Sequence, residues 1–235
     1  MERDRINDAN EFIEFYKPYM FQNWNKELQK ITFPFEVVRL EECDIELFYQ
    51  ERFFEMKNTI SNFESAIQKV GTKHFFAKYF TRSPKDSFPE LKFKNVNHFL
   101  EEISISLRVV EDFIMTFRTD YKDLLNFYVR PFIDIPKQNE FRIFKINNVI
   151  SITQYHRAYY PFWIENSKQL KESIIDFVNK IDSNFELENF CCDLFVEDNL
   201  NITLIEINPY QYSDPILFNS HNNLNGKMAL ITSSN

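Results

Sequence analysis

The 235-residue sequence predicts an α+β fold, with a helical N-terminal half and an antiparallel, sheet-rich C-terminal half. Three observations predict it. Apolar residues recur at spacings of three and four through 8–29, 43–70 and 97–117, the signature of amphipathic helices. From Asn126 onward, β-branched and aromatic residues alternate in short runs, as half-buried strands require. Short polar connections, Asn147-Asn148 and the run at 198–201, separate those runs at hairpin lengths.

Taken in order, residues 8–29 read as a helix carrying Phe12, Phe15, Tyr16 and Tyr19 on one side. The segment FPFEVVRL is a first strand, interrupted early by Pro34. Residues 43–70 are helical through Ile60, Phe63, Ile67 and Val70, and Gly71 is placed to end the helix in a left-handed turn. The segment HFFAKYF is a strand, followed by the loop TRSPKDSFPE. A long helical stretch runs from Asn97, its expected cap, to Phe117. Strands follow in NFYVRPFI, NEFRIFKI and VISITQYH, then a helix over 164–181, then the strands FCCDLFV and ITLIEIN. A polar tail from His221 is expected to be loosely ordered.

Composition narrows the function. The chain is 17% aromatic, with 27 Phe, so a sizeable core is assured. Its net charge of −8 argues against a general nucleic-acid or anionic-membrane binder, although a local basic groove is compatible with it. Three cysteines, Cys43, Cys191 and Cys192, show no metal-binding spacing and fit a reducing cytosol. With no leader and no apolar run of transmembrane length, the expected location is cytoplasmic. Only two glycines, Gly71 and Gly226, are present, so no glycine-rich phosphate loop exists; a bound nucleotide must be held by side chains and metal.

The C-terminal hairpin holds the sharpest chemical signal. If residues 197 and 202 flank its loop, Asp193 faces Glu206 across the ladder, and Asn208 shares Glu206's face. Two like charges directly opposed destabilise a sheet, whereas two carboxylates and an amide oxygen suit a hard cation such as Mg²⁺. A solvated acidic hairpin face is the plainer reading of the same residues. Lys78, mid-strand between aromatics, is either a solvent-facing lysine or a point charge for phosphate oxygens. Ser83, Lys85 and Asp86 lie in a turn beside Pro84. Arg130 precedes a proline at a strand end, an extended geometry able to line a purine edge. Glu140 and Arg142 share a strand face, either as an ion pair or as an arginine held by a glutamate and aimed at phosphate. Tyr155 and His156 end the partner strand nearby. No Ser/His/Asp or Cys/His set has a recognisable local context, and no HExxH motif is present.

Five blocks in order, AKYFTRSPKDS, YVRPF, EFRIFKINNVISITQYH, CCDLFV and LIEINPYQYSDPILF, resemble the cell division cycle protein 123 family, a divergent branch of the ATP-grasp superfamily. The resemblance runs from about Phe75 to Phe218. It implies an ATP-grasp-like fold, two lobes closing over ATP and Mg²⁺ within one domain. The expected parts are a helical stretch to about residue 74, a first nucleotide-binding lobe over 75–135, a metal-binding lobe over 136–220 and a tail. It implies that Lys78, Ser83 and Lys85 contact the nucleotide. Arg130, Phe132 and Ile133 would form the hinge beside adenine, Glu140 and Arg142 would lie at ribose and phosphates, and Asp193, Glu206 and Asn208 would hold Mg²⁺. The chain departs from the family pattern in four ways. Tyr79-Phe80-Thr81 stands where the family usually has Asn-Trp, and Glu206 where it often has Asp. Tyr155 stands where a basic phosphate contact is expected, and no long acidic tail of the eukaryotic kind follows.

The function so implied is an ATP/Mg²⁺-binding assembly chaperone whose protein partner, in a eukaryotic host, is the gamma subunit of translation initiation factor 2. The alternative is an ATP-grasp ligase that forms an acyl phosphate and joins a carboxylate to an amine. A third reading is a structural remnant that binds no nucleotide.

Overall fold

The computed structural model describes residues 8–119, 121 and 124–233. The chain divides into two units: Met1–Asn23 with Pro34–Ile133, and Trp24–Phe33 with Asp134–Asn235.

In the first unit, β1 (Glu36–Arg39), β3 (Asn126–Pro131) and β2 (Phe75–Tyr79) form an antiparallel sheet in that order. Alternation gives it two unlike faces. Phe75, Ala77, Tyr79, Phe127 and Val129 are fully or almost fully buried against helices. Phe127 lies 5.4 Å from Phe63 of α4 (Lys57–Val70) and 5.7 Å from Phe99 of α5 (Val96–Ile105), ring to ring. Tyr79 lies 6.0 Å from Phe113 of α6 (Leu107–Phe117). Such aromatic pairs add packing energy beyond their buried area. The opposite face carries Phe76, Lys78, Tyr128 and Arg130.

The three long helical stretches expected here are all broken, each for a local reason. The first run gives α1 (Ala9–Tyr16), then 3-10 turns around Pro18, then α2 (Lys26–Lys30), capped by Asn25. The second gives α3 (Glu42–Tyr49) and α4, separated at Glu51, whose φ is 56°. The buried Asp44 carboxylate accepts from the Thr59 amide (3.1 Å) and hydroxyl (2.6 Å), capping the first turn of α4. Gly71 ends α4 at φ 68°, as expected. The third divides at Ser106, whose hydroxyl caps α6; Asn95, not Asn97, caps α5.

In the second unit, five strands lie in the order β7 (Ile202–Asn208), β6 (Phe190–Val196), β4 (Glu140–Ile146), β5 (Val149–Gln154) and β8 (Met228–Ala229). One face packs on the helices α7 (Pro161–Glu165) and α8 (Ser167–Asp182): Phe141 meets Trp163 at 5.8 Å, and Lys145 Nζ meets Asp182 at 2.6 Å. The residues after His221, expected to be loosely ordered, instead add the parallel edge strand β8. The Gly226 amide donates to Ser151 Oγ at 2.9 Å and the Ile231 amide to Gln154 Oε1 at 3.1 Å. Gly226 and Ile231 thereby satisfy buried polar side chains of β5. The β7 edge is covered in turn: Leu204 N donates to Ile31 O at 2.8 Å, and Thr32 Oγ1 donates to Leu204 O at 2.7 Å. Among the described residues no helix is long and apolar enough to cross a membrane.

Candidate functional site

The helix-free face of the second sheet is polar although much of it is buried. Register places Thr153, Arg142, Asp193 and Glu206 in one row across β5, β4, β6 and β7. Directly opposed residues share a face, so all four side chains project to one side. Arg142 and Asp193 are only 7% and 2% exposed. Arg142 Nε donates to Asp193 Oδ1 at 2.7 Å and Nη2 to Oδ2 at 2.8 Å, the bidentate geometry that a guanidinium and a carboxylate share. Arg142 Nη1 donates to the Asp214 carbonyl at 3.3 Å, and Tyr155 lies against the guanidinium, 4.6 Å from ring centre to Cζ. Burial weighs against the arginine's charge, but the adjoining Asp193 outweighs it and lifts the pKa well above the ordinary value.

Asp193 opposes Glu206 as the hairpin length implies, by a different route. The ladder closes on Val196 and Ile202, one residue earlier than expected on the first strand, and a bulge between Asp193 and Leu194 takes up the offset. Ile205 is the extra residue. Without the bulge, Asp193 would face Ile205, and Glu206 would turn to the helix-covered side. Burial drives the Asp193 carboxyl upward; Arg142 pulls the other way, and Glu206 and Glu140 add to the rise. Asn208 pairs with Cys191 on the same face. Asp193, Glu206 and Asn208 thus offer only oxygen ligands, the chemistry a hard cation takes. Among the described residues no three His, Cys, Asp or Glu side chains gather as a metal site.

Glu140 and Arg142 share the face but are not each other's partners. Glu140 Oε2 meets His156 Nε2 at 2.9 Å, and its carbonyl accepts from the Tyr155 amide at 2.9 Å. The carboxylate that holds Arg142 is Asp193, on the neighbouring strand. The segment crossing this face is held by His221, whose Nε2 meets the carbonyls of Tyr210 (3.0 Å) and Ser213 (2.9 Å). Both partners only accept, so Nε2 carries the hydrogen.

In the first unit, Lys78 pairs with Tyr128 and Phe76 with Arg130 across β2 and β3, on the face away from the helices. Lys78 is buried, with Nζ 5.9 Å from the Phe21 ring centre. Tyr128 bonds Gln22, and burial pushes its phenol far up. The Arg130 guanidinium lies 4.4 Å from the Phe76 ring centre. Beyond β3, the Phe132 amide donates to His74 O at 3.0 Å, and Ile133 is exposed at the end of the unit.

Ser83 is buried and Lys85 exposed, in a loop tied down by residues on both sides of them. Arg82 Nε pairs with buried Asp112 at 3.0 Å. Asp86 accepts from Ser106 Oγ at 2.5 Å and the Arg108 amide at 3.2 Å, and Ser87 Oγ donates to Glu102 O at 2.7 Å. Of these anchors, the sequence singles out only Asp86, as a turn residue.

The sequence pattern of the D123 family matches residues 41–233. This chain belongs to the D123 family. Its fold agrees: Cdc123 from Schizosaccharomyces pombe superposes with a TM-score of 0.77 at 22% identity, covering 94% of this chain and 98% of that one. The C-terminally truncated form of the same yeast protein gives 0.77 at 21% identity, over 96% and 98%. N5-carboxyaminoimidazole synthetase from Staphylococcus aureus, complexed with ADP, is more distant, with a TM-score of 0.45 at 16% identity over 91% of this chain and 53% of that one. That likeness is too weak to carry an argument about fold or ligand. A search of curated protein sequences gives no match. The D123 match takes in both the Lys78 face and the Arg142–Asp193–Glu206 row, as well as the loop anchors at Arg82 and Asp86.

Proposed function

We propose that this D123-family chain binds ATP with Mg²⁺ and uses the bound nucleotide to assist assembly of a protein complex. In a eukaryotic host the partner would be the gamma subunit of translation initiation factor 2. The observation that carries the nucleotide reading is the row Arg142–Asp193–Glu206, with the Arg142–Asp193 pair buried and Glu206 half-buried beside it. Burying the Arg142–Asp193 ion pair costs desolvation energy that an apolar pair would avoid, so a role in ligand binding accounts for its presence.

Arg142 has five N–H groups, three of them engaged, so a fixed guanidinium edge remains for a phosphate oxygen. Asp193, Glu206 and Asn208 would hold Mg²⁺, which when bound neutralises phosphate charge. Lys78, with Ser83 and Lys85 on their anchored loop, would supply further phosphate contacts. Arg130, Phe132 and Ile133 would line the base, with Glu140 and Tyr155 beside the sugar and phosphates. With no glycine loop in the sequence, side chains must carry this recognition. Nucleotide acts on assembly only by binding one arrangement of the protein better than another.

Calorimetric titration of ATP, with and without Mg²⁺, tests this in wild type, Glu206→Gln and Lys78→Met. The expected result is Mg²⁺-dependent binding that each substitution weakens roughly tenfold or more. Wild-type protein that takes up no ATP, or variants that bind as well as wild type, would overturn the site. A pull-down of purified gamma subunit with and without ATP tests the assembly role separately. Capture that ignores ATP, or no capture, removes that role and leaves nucleotide binding standing.

A further inference from the structure

The net charge of −8 conceals a segregation. Between Lys69 and Lys94 there are seven Lys and Arg against two acids, Asp86 and Glu90, a local balance of +5. The rest of the chain therefore carries −13. Some of this positive charge belongs to Lys78 and Lys85, already used above. Another part gathers at the opposite end of β2.

Phe75 and Phe93 exchange backbone hydrogen bonds of 3.0 and 2.9 Å in an isolated antiparallel bridge. Residues flanking such a bridge are themselves opposed, so Lys94 lies beside His74 and Lys92 beside Phe76. Their side chains take the face away from the buried Phe75 and Phe93 rings. Lys92 Nζ stands 5.2 Å from the Phe132 ring centre. Lys73, Lys92 and Lys94 are exposed. Lys69 is paired with Glu36 at 3.3 Å, whereas Lys73, Lys92 and Lys94 have no carboxylate partner among the described residues. The cluster is felt locally: desolvation, then Lys92, Lys73 and Lys94, push the His74 imidazole below its ordinary value.

We propose that the Lys73, Lys92 and Lys94 face of the first unit is a docking surface for a short acidic peptide segment of a partner protein. None of these lysines belongs to the nucleotide reading, so the proposal goes beyond it and stands without it. Two observations favour carboxylates over a nucleic acid. The Phe76 ring on this face already carries the Arg130 guanidinium and is a poor platform for a stacked base. The −13 carried elsewhere repels a long polyanion, whereas a few Asp or Glu residues fit within the patch.

Fluorescence anisotropy with a labelled Asp/Glu peptide of about ten residues tests the surface, using the full chain. Binding should weaken as salt rises and fall roughly tenfold or more in the double variant Lys92→Glu/Lys94→Glu. It should be unchanged in Lys168→Glu/Lys180→Glu, on the exposed side of α8. With peptide bound, the His74 ring protons should titrate at higher pH, because carboxylates offset the lysines. Four outcomes overturn the proposal: no binding, equal loss in both double variants, tighter binding of an oligothymidylate of matched charge, or displacement by ATP with the Lys92/Lys94 variant still binding normally. ATP titration of the same variants separates failure of this surface from failure of the nucleotide site.

Discussion

Arg142 grips Asp193 through two parallel hydrogen bonds of 2.7 and 2.8 Å across β4 and β6, with both side chains buried. Removing one partner leaves the other charge stranded in a low-dielectric site. Asp193→Ala is therefore expected to lower stability by about 3–5 kcal/mol, whereas the joint change Arg142→Met/Asp193→Leu recovers most of that loss. Urea unfolding of the single and double variants measures both. This cost is also the reason to probe the metal reading at Glu206 rather than at Asp193.

Asp86 gives the protein an acid-sensitive joint. Partial burial raises its carboxyl, but the bonds from Ser106 and the Arg108 amide outweigh that and leave it below the ordinary 3.8. A carboxyl with a lower pKa in the folded state binds fewer protons there than in the unfolded chain. Its contribution is complete above the unfolded pKa and is lost as pH falls through the folded one. Asp86→Asn should thus flatten the decline in stability between about pH 5 and about pH 3, compared by urea midpoints at each pH.

Gly71 closes α4 at φ 68°, and a Cβ added there would meet nothing within 4 Å. The cost of Gly71→Ala is therefore that of the left-handed backbone alone, about 1–2 kcal/mol, with Gly71→Asn losing less. Thermal unfolding of the two variants checks the order.

On the proposed metal reading, MgCl₂ should raise the melting temperature of wild type beyond a sodium chloride control of equal ionic strength. At a hundred times its dissociation constant the gain is about 2.7 kcal/mol. Glu206→Gln should lose most of the response and Gly71→Ala should keep it. An equal response in Glu206→Gln would remove Glu206 from the metal set.

The opposition of Asp193 and Glu206 shows how far pattern reading reaches. Two alternating strands and a short polar connection were enough to bring these acids face to face on paper. The expected closing pair of 197 and 202 was nevertheless one residue out, and the structure reaches the same opposition through the bulge at Ile205. A bulge leaves no mark in local periodicity. This one sits where Leu204 bonds Ile31 and Thr32, residues distant in sequence.

The breaks in the long helices were partly legible. Pro18 and Ser106 are a breaker and a capping residue, yet the apolar spacing runs on through both. The break before α4 depends on Asp44 reaching Thr59, 15 residues along, which periodicity does not record.

By itself the sequence determined the α+β class, the order of the main helical stretches and of β1 to β7, the cap at Gly71 and the resemblance to the family that the D123 match bears out. These rest on side-chain spacing and on turn residues, properties of near neighbours. Only the tertiary structure decided that Asp193 rather than Glu140 holds Arg142, that the tail pairs with β5, and that Lys92 and Lys94 join His74 on one face. Arg142 and Asp193 are 51 residues apart, and their pairing follows from sheet order and register, which a one-residue slip reverses.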